Sequence, residues 1–100
     1  MRKIEAIIRK QKFKDVYDAL ENSGIGGMTV TEARGFGRHR NGLQDKVKIE
    51  IYTDEFLIEK IVAIIRNIAK TGVTGDGKIA ILPLSNIYRI RTDEEGAAAI

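Results

Sequence analysis

The 100-residue sequence predicts an α+β domain with the ferredoxin-like βαββαβ arrangement. Three segments alternate between apolar and polar residues, a fourth is a short apolar run, and two further segments have helical periodicity. Their order along the chain is β-α-β-β-α-β, with glycine-rich or polar stretches between them. In this architecture two helices pack on one face of an antiparallel sheet. No linker or repeat divides the chain, so residues 1–100 are expected to form a single domain.

The first half of the chain contains three predicted strands and one helix. Residues 2–9 read as a strand because Ile4, Ala6 and Ile8 alternate with charged residues. Residues 12–23 read as a helix whose apolar residues share one face, namely Phe13, Val16, Tyr17 and Leu20. A second strand is predicted over 28–36 and a polar turn over 37–45. The third strand follows, with Val47, Ile49 and Ile51 on one face.

The second half begins with a strongly apolar helix over residues 55–70. Asp54 is a suitable N-cap for this helix, and Gly72 suits the left-handed C′ position after it. Residues 78–82 form a fourth strand that ends at Pro83, and 87–91 are predicted to be a short fifth strand.

Two helices cover only one face of the predicted sheet. Residues 79–82 are apolar on both parities, and Ile7 adds an apolar residue to the otherwise polar parity of the first strand. Apolar residues on both faces of a small domain predict an oligomer. In the alternative, the tail of the chain or a loop folds over the second face.

Composition excludes several kinds of function. The chain has no cysteine, which excludes disulfides and Cys-based metal sites, and a single histidine, His39, which excludes a site with two imidazoles. The net charge of +3 is mild, and acidic residues are interleaved with basic ones, so no nucleic-acid partner is expected. No apolar run reaches the ~20 residues of a membrane span. The first residues do not resemble a signal peptide, so we expect a cytoplasmic protein without membrane insertion.

Two glycine-rich segments, Gly35–Arg38 and Thr71–Lys78, are candidates for anion binding because glycine lets backbone N–H groups approach an anion closely. The second segment nearly matches a Walker A loop. However, Ile79 replaces the Ser or Thr that would bind magnesium, and the segment runs from a helix into a strand. A P-loop NTPase is therefore excluded, whereas backbone binding of phosphate stays open. The alternative for Gly75-Asp76-Gly77 is a simple tight turn.

Arg89 and Arg91 are two residues apart on the predicted fifth strand, so both guanidinium groups would point to the same side. Arginine pairs suit phosphate oxygens because each offers a bidentate fork. The alternative is a solvated edge strand whose charges discourage aggregation.

Taken together, these segments resemble the PII family of nitrogen-status signalling proteins. The similarity runs from residue 2 through the rest of the chain, and no single block is specific, but six occur in the family's order. The blocks are Met28–Glu32, Gly35–Arg38, Lys46–Ile51, Thr71-Gly72, Gly75–Ile79 and Arg89–Thr92.

The resemblance implies a non-catalytic regulator of nitrogen metabolism that forms a compact homotrimer. ATP or ADP would bind as a ligand in clefts between subunits. It assigns Gly35, Gly37 and Arg38 to the nucleotide cleft, with Ile7, Thr29 and Glu50 nearby. The phosphates would lie on Gly75, Asp76, Gly77 and Lys78, and Arg89 and Arg91 would reach across from the adjacent subunit.

The chain departs from the family pattern in the loop after Gly37. Family members carry a long partner-binding loop here, and this chain has only residues 38–45, about a dozen fewer, a loss that an exposed loop tolerates. His39 replaces the family's glutamine, which helps to hold magnesium and 2-oxoglutarate, while Lys46 keeps the position that pairs with 2-oxoglutarate. Imidazole suits magnesium poorly, and His39 has an alternative as a plain loop residue. We therefore expect ATP binding to persist, 2-oxoglutarate to add little, and partners gripped through the long loop, such as an ammonium channel, to be lost.

Three other functions are compatible with the predicted fold class. A small phosphatase would need a nucleophile or base, and Asp76 has no partner for that chemistry. An RNA-binding module would need stacking aromatic residues, which Lys46–Ile51 lacks. A sensor of another small phosphorylated or amino-acid metabolite remains the alternative, although the arginines and the Gly75–Lys78 segment favour a phosphate-bearing ligand.

Overall fold

The computed structural model describes residues 1–100 and confirms the ferredoxin-like arrangement. The strands and helices follow in the predicted order: β1 (Arg2–Arg9), α1 (Phe13–Glu21), β2 (Thr29–Gly35), β3 (Gln44–Thr53), α2 (Ile58–Ala69) and β4 (Gly77–Pro83). The sheet order is β2-β3-β1-β4, and every neighbouring pair is antiparallel. Short 3₁₀ turns cover Lys10–Lys12, Glu55–Leu57 and Gly96–Ala99. None of the helices has the length and apolar character needed to cross a membrane.

The core lies between the helices and one face of the sheet. Strand parity places alternate residues of β1 and β3 there, and both helices add a buried stripe. The buried residues are Ile4, Ala6, Ile8, Val16, Leu20, Val47, Ile49, Ile51, Ile61, Ile65 and Ala69. The apolar face predicted for α1 holds except at Tyr17, which is 39% exposed and packs its ring beside Phe13, 5.8 Å between centroids.

The opposite face of the sheet has no helix over it and carries a cluster of alternating charges. Lys3 Nζ lies 2.6 Å from Glu50 Oε2 and 3.4 Å from Glu5 Oε2, and Lys48 lies 3.8 Å from Glu5. The tail of the chain runs elsewhere, because Ile100 lies against Gly26 just before β2. This open face is therefore polar at its centre.

The predicted fifth strand over 87–91 is wrong. Tyr88 and Glu95 form only an isolated β-bridge, and the residues between them turn back sharply. The backbone N–H of Arg89 donates to Glu94 O at 2.8 Å, and the N–H of Asp93 donates to Arg89 O at 3.0 Å. Asp93 adopts a positive φ of 60°, which lets the chain reverse there.

The connection between β2 and β3 lies two residues earlier in the chain than predicted. Gln44 and Asp45 belong to β3, because Gly35 pairs with Gln44 and Arg34 with Asp45 across the two strands. The residues outside the strands are therefore 36–43, rather than 38–45.

The ends of α2 differ in detail from the prediction. Asp54 precedes the 3₁₀ turn that leads into α2, but its side chain makes no capping hydrogen bond. At the other end Lys70 is extended and directly follows the helix, so Gly72 lies one position beyond C′. Gly72 still has a positive φ of 86°, which serves the loop that follows.

Candidate functional site

The candidate site is a cavity of about 520 Å³ at the end of the sheet where β2 leaves and β4 begins. It brings together ten of the residues that the sequence singled out. These are Ile7, Gly35, Gly37, Arg38, His39, Lys46, Gly75, Asp76, Gly77 and Lys78. Phe36, Val73 and Thr74 complete the lining. Two segments far apart in sequence therefore form the two walls of one cavity.

One wall is the loop between α2 and β4, and the carboxylate of Asp76 organises it. Its Oδ2 accepts hydrogen bonds from the backbone N–H groups of Thr71 and Gly72, each at 2.8 Å. Its Oδ1 accepts from the Thr71 hydroxyl at 2.5 Å and from Arg9 Nε at 3.3 Å. These donors, led by the Thr71 hydroxyl, hold the pKa of Asp76 far below its usual range. The carboxylate is thus committed to the loop and is not free to act as a base.

The same loop offers unpaired donors to an anion. The backbone N–H groups of Thr74 and Gly75 find no acceptor within the chain, whereas those of Thr71, Gly72 and Val73 are all bonded and Asp76 closes the turn over Thr74 and Gly75. Successive free N–H groups in a turn form a concave anion-binding surface.

Two cations orient these peptide groups by binding their carbonyl oxygens. Arg9 donates to Thr74 O at 2.6 Å, and Lys46 Nζ donates to Gly75 O. Because a trans peptide points its C=O and N–H in opposite directions, the N–H groups of Gly75 and Asp76 face away from these two cations. The structure thereby fixes which side of the loop presents its donors.

Glycine is required at the point where this loop enters β4. Gly77 has a φ of 101°, and a Cβ there would lie 1.7 Å from the carbonyl oxygen of Ile7. The close approach of β1 and β4 sets the position of Lys78, whose partner across the strands is Ile7. Lys78 makes no ion pair within the chain, so its ammonium group is available beside the free N–H groups.

The other wall is formed by the end of β2 and the loop after it. Phe36 is 55% exposed, and the guanidinium of Arg40 lies over its ring at 5.3 Å. Arg38 and His39 are exposed at the cavity. This wall therefore combines an aromatic surface with positive charge.

Thr29 and Glu50 lie outside the cavity but on the open face of the sheet. They are direct partners across β2 and β3. The ion pair with Lys3 lowers the pKa of Glu50, and Lys48 adds to the effect. These two residues form a second polar position on the face that carries Ile7.

Arg89 and Arg91 are not brought to the cavity within one chain. The argument that they share one side of a strand fails, because residues 90–92 form a turn. Arg89 instead donates to the main-chain oxygens of Ile100 and Ala99, at 3.0 and 3.4 Å, and its Nε lies 3.4 Å from Glu94. Arg91 is exposed and makes no ion pair or side-chain hydrogen bond.

Sequence reasoning missed Arg9 as a site residue and gave no individual role to Phe36 and Thr74, which lie within the two glycine-rich segments. Arg9 shares the parity of Ile7 on β1, so its place on the same face was available as a signal. The roles of Phe36 and Thr74 depend on the paths of two loops, which no periodicity in the sequence describes.

The geometry describes a small ferredoxin-like domain with a cavity between a glycine loop and the end of a strand. Comparison with known families identifies the family to which this domain belongs. The family described as "Nitrogen regulatory protein P-II" matches residues 1–94. The chain belongs to this family of signal-transduction regulators of nitrogen metabolism.

Curated relatives agree over the full length. The chain is 43% identical to the nitrogen regulatory protein P-II of Azospirillum brasilense and 44% identical to that of Synechocystis sp.. It is 43% identical to nitrogen regulatory protein P-II 1 of Escherichia coli K12. Each alignment extends over 112 positions and covers 100% of both chains, whereas this chain has 100 residues.

Proposed function

We propose that this chain is a non-catalytic sensor that binds ATP or ADP and reports it within nitrogen regulation. The single observation that carries the proposal is the pair of free N–H groups of Thr74 and Gly75 beside the unpaired Lys78. Such donors suit a chain of phosphates. Because Asp76 is committed to the loop and its low pKa makes it a poor base, we expect binding without turnover.

A trimer would complete the site. The open face of the sheet has exposed apolar residues around its charged centre, with Ile7 36%, Leu82 38% and Tyr52 46% exposed. Ile90, at the turn between Arg89 and Arg91, is 97% exposed. Apolar surface of this kind supports burial against a second copy, which would bring Arg91 and Arg89 to a neighbour's cavity. Light scattering should report three times the subunit mass of 11.1 kDa, and a monomer at micromolar concentration would refute this arrangement.

The adenine base is proposed to bind on the open face near Ile7, Thr29 and Glu50. Thr29 and Glu50 are adjacent across the sheet, and Ile7 lies on the same face of β1 at the cavity. A carboxylate and a hydroxyl can pair with the edge of a base, while Ile7 offers an apolar contact.

We further propose that the missing positions of the alignment fall in the connection between β2 and β3. Only residues 36–43 lie outside those strands, so little chain is left to reach a partner. The Lys46 ammonium group is already bonded to the Gly75 carbonyl, and His39 offers an imidazole, which magnesium disfavours. Magnesium and 2-oxoglutarate should therefore add little to nucleotide binding, and regulatory partners must use another surface.

Calorimetry with ATP, ADP and AMP, each with and without magnesium and 2-oxoglutarate, tests the proposal. Replacing Lys78 by alanine should weaken ATP binding about tenfold or more, since a charge-assisted hydrogen bond contributes about 1.5–3 kcal/mol. Lys14→Ala is the matched control, because Lys14 pairs only with Asp18 on α1. Equal ATP affinity in both variants would contradict the phosphate site, and tight magnesium-dependent binding of 2-oxoglutarate would contradict the role given to the short loop.

A further inference from the structure

The two arginines proposed to bind the nucleotide differ in whether they already have partners within their own subunit. Arg91 is exposed and has no partner, whereas the Arg89 guanidinium is held within its own subunit. It donates to Ile100 O at 3.0 Å and approaches Glu94 Oε1 at 3.4 Å. An arginine held in this way must leave or share these partners before it can bind a phosphate.

Glu94 is itself held in place to face Arg89. Its Oε1 accepts a hydrogen bond from the Thr92 hydroxyl at 2.7 Å, and the backbone groups of residues 89 and 94 are joined at 2.8 Å. The loop is closed at its base, where the N–H of Gly96 donates to Ile87 O at 2.9 Å and to Asn86 Oδ1 at 3.0 Å. The carboxylate is thus fixed beside the guanidinium by the turn, rather than meeting it by chance on the surface.

We propose that Glu94 is an affinity-determining residue that competes with the phosphates of the nucleotide for Arg89. This inference rests on the proposed function, because it takes Arg89 to be a phosphate contact. The carboxylate and a phosphate oxygen are alternative anionic acceptors for the same guanidinium. The nucleotide therefore exchanges one anionic partner of Arg89 for another, and the net gain from this contact is smaller than the gain from Arg91.

The consequence is a site whose affinity is set below its maximum by one residue outside the cavity. Ligands with more negative charge compete better with a fixed carboxylate, so the contact favours longer phosphate chains over shorter ones. Glu94 would thereby separate ATP from ADP and AMP, although it touches none of them.

The matched pair of variants is Glu94→Gln and Glu95→Gln. Both remove one negative charge from adjacent exposed positions, but the Glu95 side chain makes no contact with Arg89. Calorimetry should show Glu94→Gln binding ATP about two- to fivefold more tightly than Glu95→Gln, the range expected for an exposed ion pair. Thermal unfolding of both variants, measured in parallel, confirms that they are folded.

An Arg89→Ala background isolates the mechanism. There Glu94→Gln should leave ATP affinity unchanged relative to Arg89→Ala alone, because the residue through which Glu94 acts is gone. A gain that persists in this background, or an equal gain in Glu94→Gln and Glu95→Gln, would overturn the inference and leave only an effect of net charge. Failure of the wild-type protein to bind ATP would instead refute the proposed function, so the two ideas fail by different results.

Discussion

Gly77 offers the sharpest test of how the glycine loop is built into the sheet. Its φ of 101° is a backbone conformation that residues with a side chain rarely adopt. A Cβ added at Gly77 would lie 1.7 Å from Ile7 O and 2.8 Å from Ile7 C. Both neighbours are backbone atoms, so no side-chain rotation relieves the overlap. The β1 and β4 backbones must separate where Ile8 pairs with Gly77.

The expected cost of Gly77→Ala has two parts. An unfavourable backbone conformation costs about 1–3 kcal/mol. Separating the strands disturbs one or two hydrogen bonds of the ladder, each contributing about 1 kcal/mol. We therefore expect the free energy of unfolding to fall by about 2–5 kcal/mol, which is a large share of the stability of a domain this size.

Gly72→Ala separates the two parts. Gly72 also has a positive φ, 86°, but nothing lies within 4 Å of the added Cβ, so only the conformational cost applies. Gly35 has no positive φ, and nothing lies within 4 Å of a Cβ added there. Gly35→Ala should therefore change the free energy of unfolding little. Urea unfolding at one fixed protein concentration measures all three variants. If Gly77→Ala costs no more than Gly72→Ala, the close approach of β1 and β4 does not govern this position.

Three further predictions concern the packing of the core, the stability in acid and the binding of ATP. Ile49 is fully buried, so Ile49→Ala should lower the free energy of unfolding by about 2–5 kcal/mol, whereas Phe56→Ala at an 80% exposed position should stay within about 0.5 kcal/mol in the same urea titration. The pKa of Asp76 is lowered from 3.8, so its stabilising contribution is complete above that value and is lost as the pH falls through the folded-state pKa. The free energy of unfolding of Asp76→Asn should accordingly depend less on pH, below the usual pKa of the carboxyl group, than that of the wild type. Acid unfolding measures this, and parallel stability curves for the two proteins would contradict the role of the carboxylate. Replacing Arg89 and Arg91 together by alanine should weaken ATP binding at least tenfold, as measured by calorimetry, while light scattering reports an unchanged assembly.

Strand parity accounts for how much of the fold was predictable. Ile4, Ala6 and Ile8 alternate with charged residues because one face of β1 is buried and the other is open, and this alternation is visible in any half-buried strand. The same reasoning failed for Arg89 and Arg91. The apolar residues next to these arginines give the segment the sequence pattern of a strand. However, no neighbouring strand pairs with this segment. Strand pairing is determined by the tertiary structure, which the pattern does not show.

The candidate site was predictable in composition but not in its internal bonding. Glycines followed by Lys78 indicated an anion-binding loop, and the structure gathers these residues in one cavity. The inward turn of the Asp76 carboxylate was not predictable, because it depends on backbone angles at Gly72 and Gly75. The family resemblance assigned Asp76 to the phosphate-binding segment, and the structure adds that its side chain bonds Thr71 and Arg9 within the loop.

The inward-turned carboxylate also divides the loop into two classes of amide hydrogen. Thr71 and Gly72 donate to Asp76 at 2.8 Å and should exchange slowly with deuterated water, although they lie outside every helix and strand. Thr74 and Gly75 have no acceptor and should exchange within the fastest population. An anion bound to these two N–H groups would slow their exchange without changing that of Thr71 and Gly72. The loop therefore carries its own internal reference, and residue-resolved exchange can report occupancy of the site without an attached probe or an activity assay.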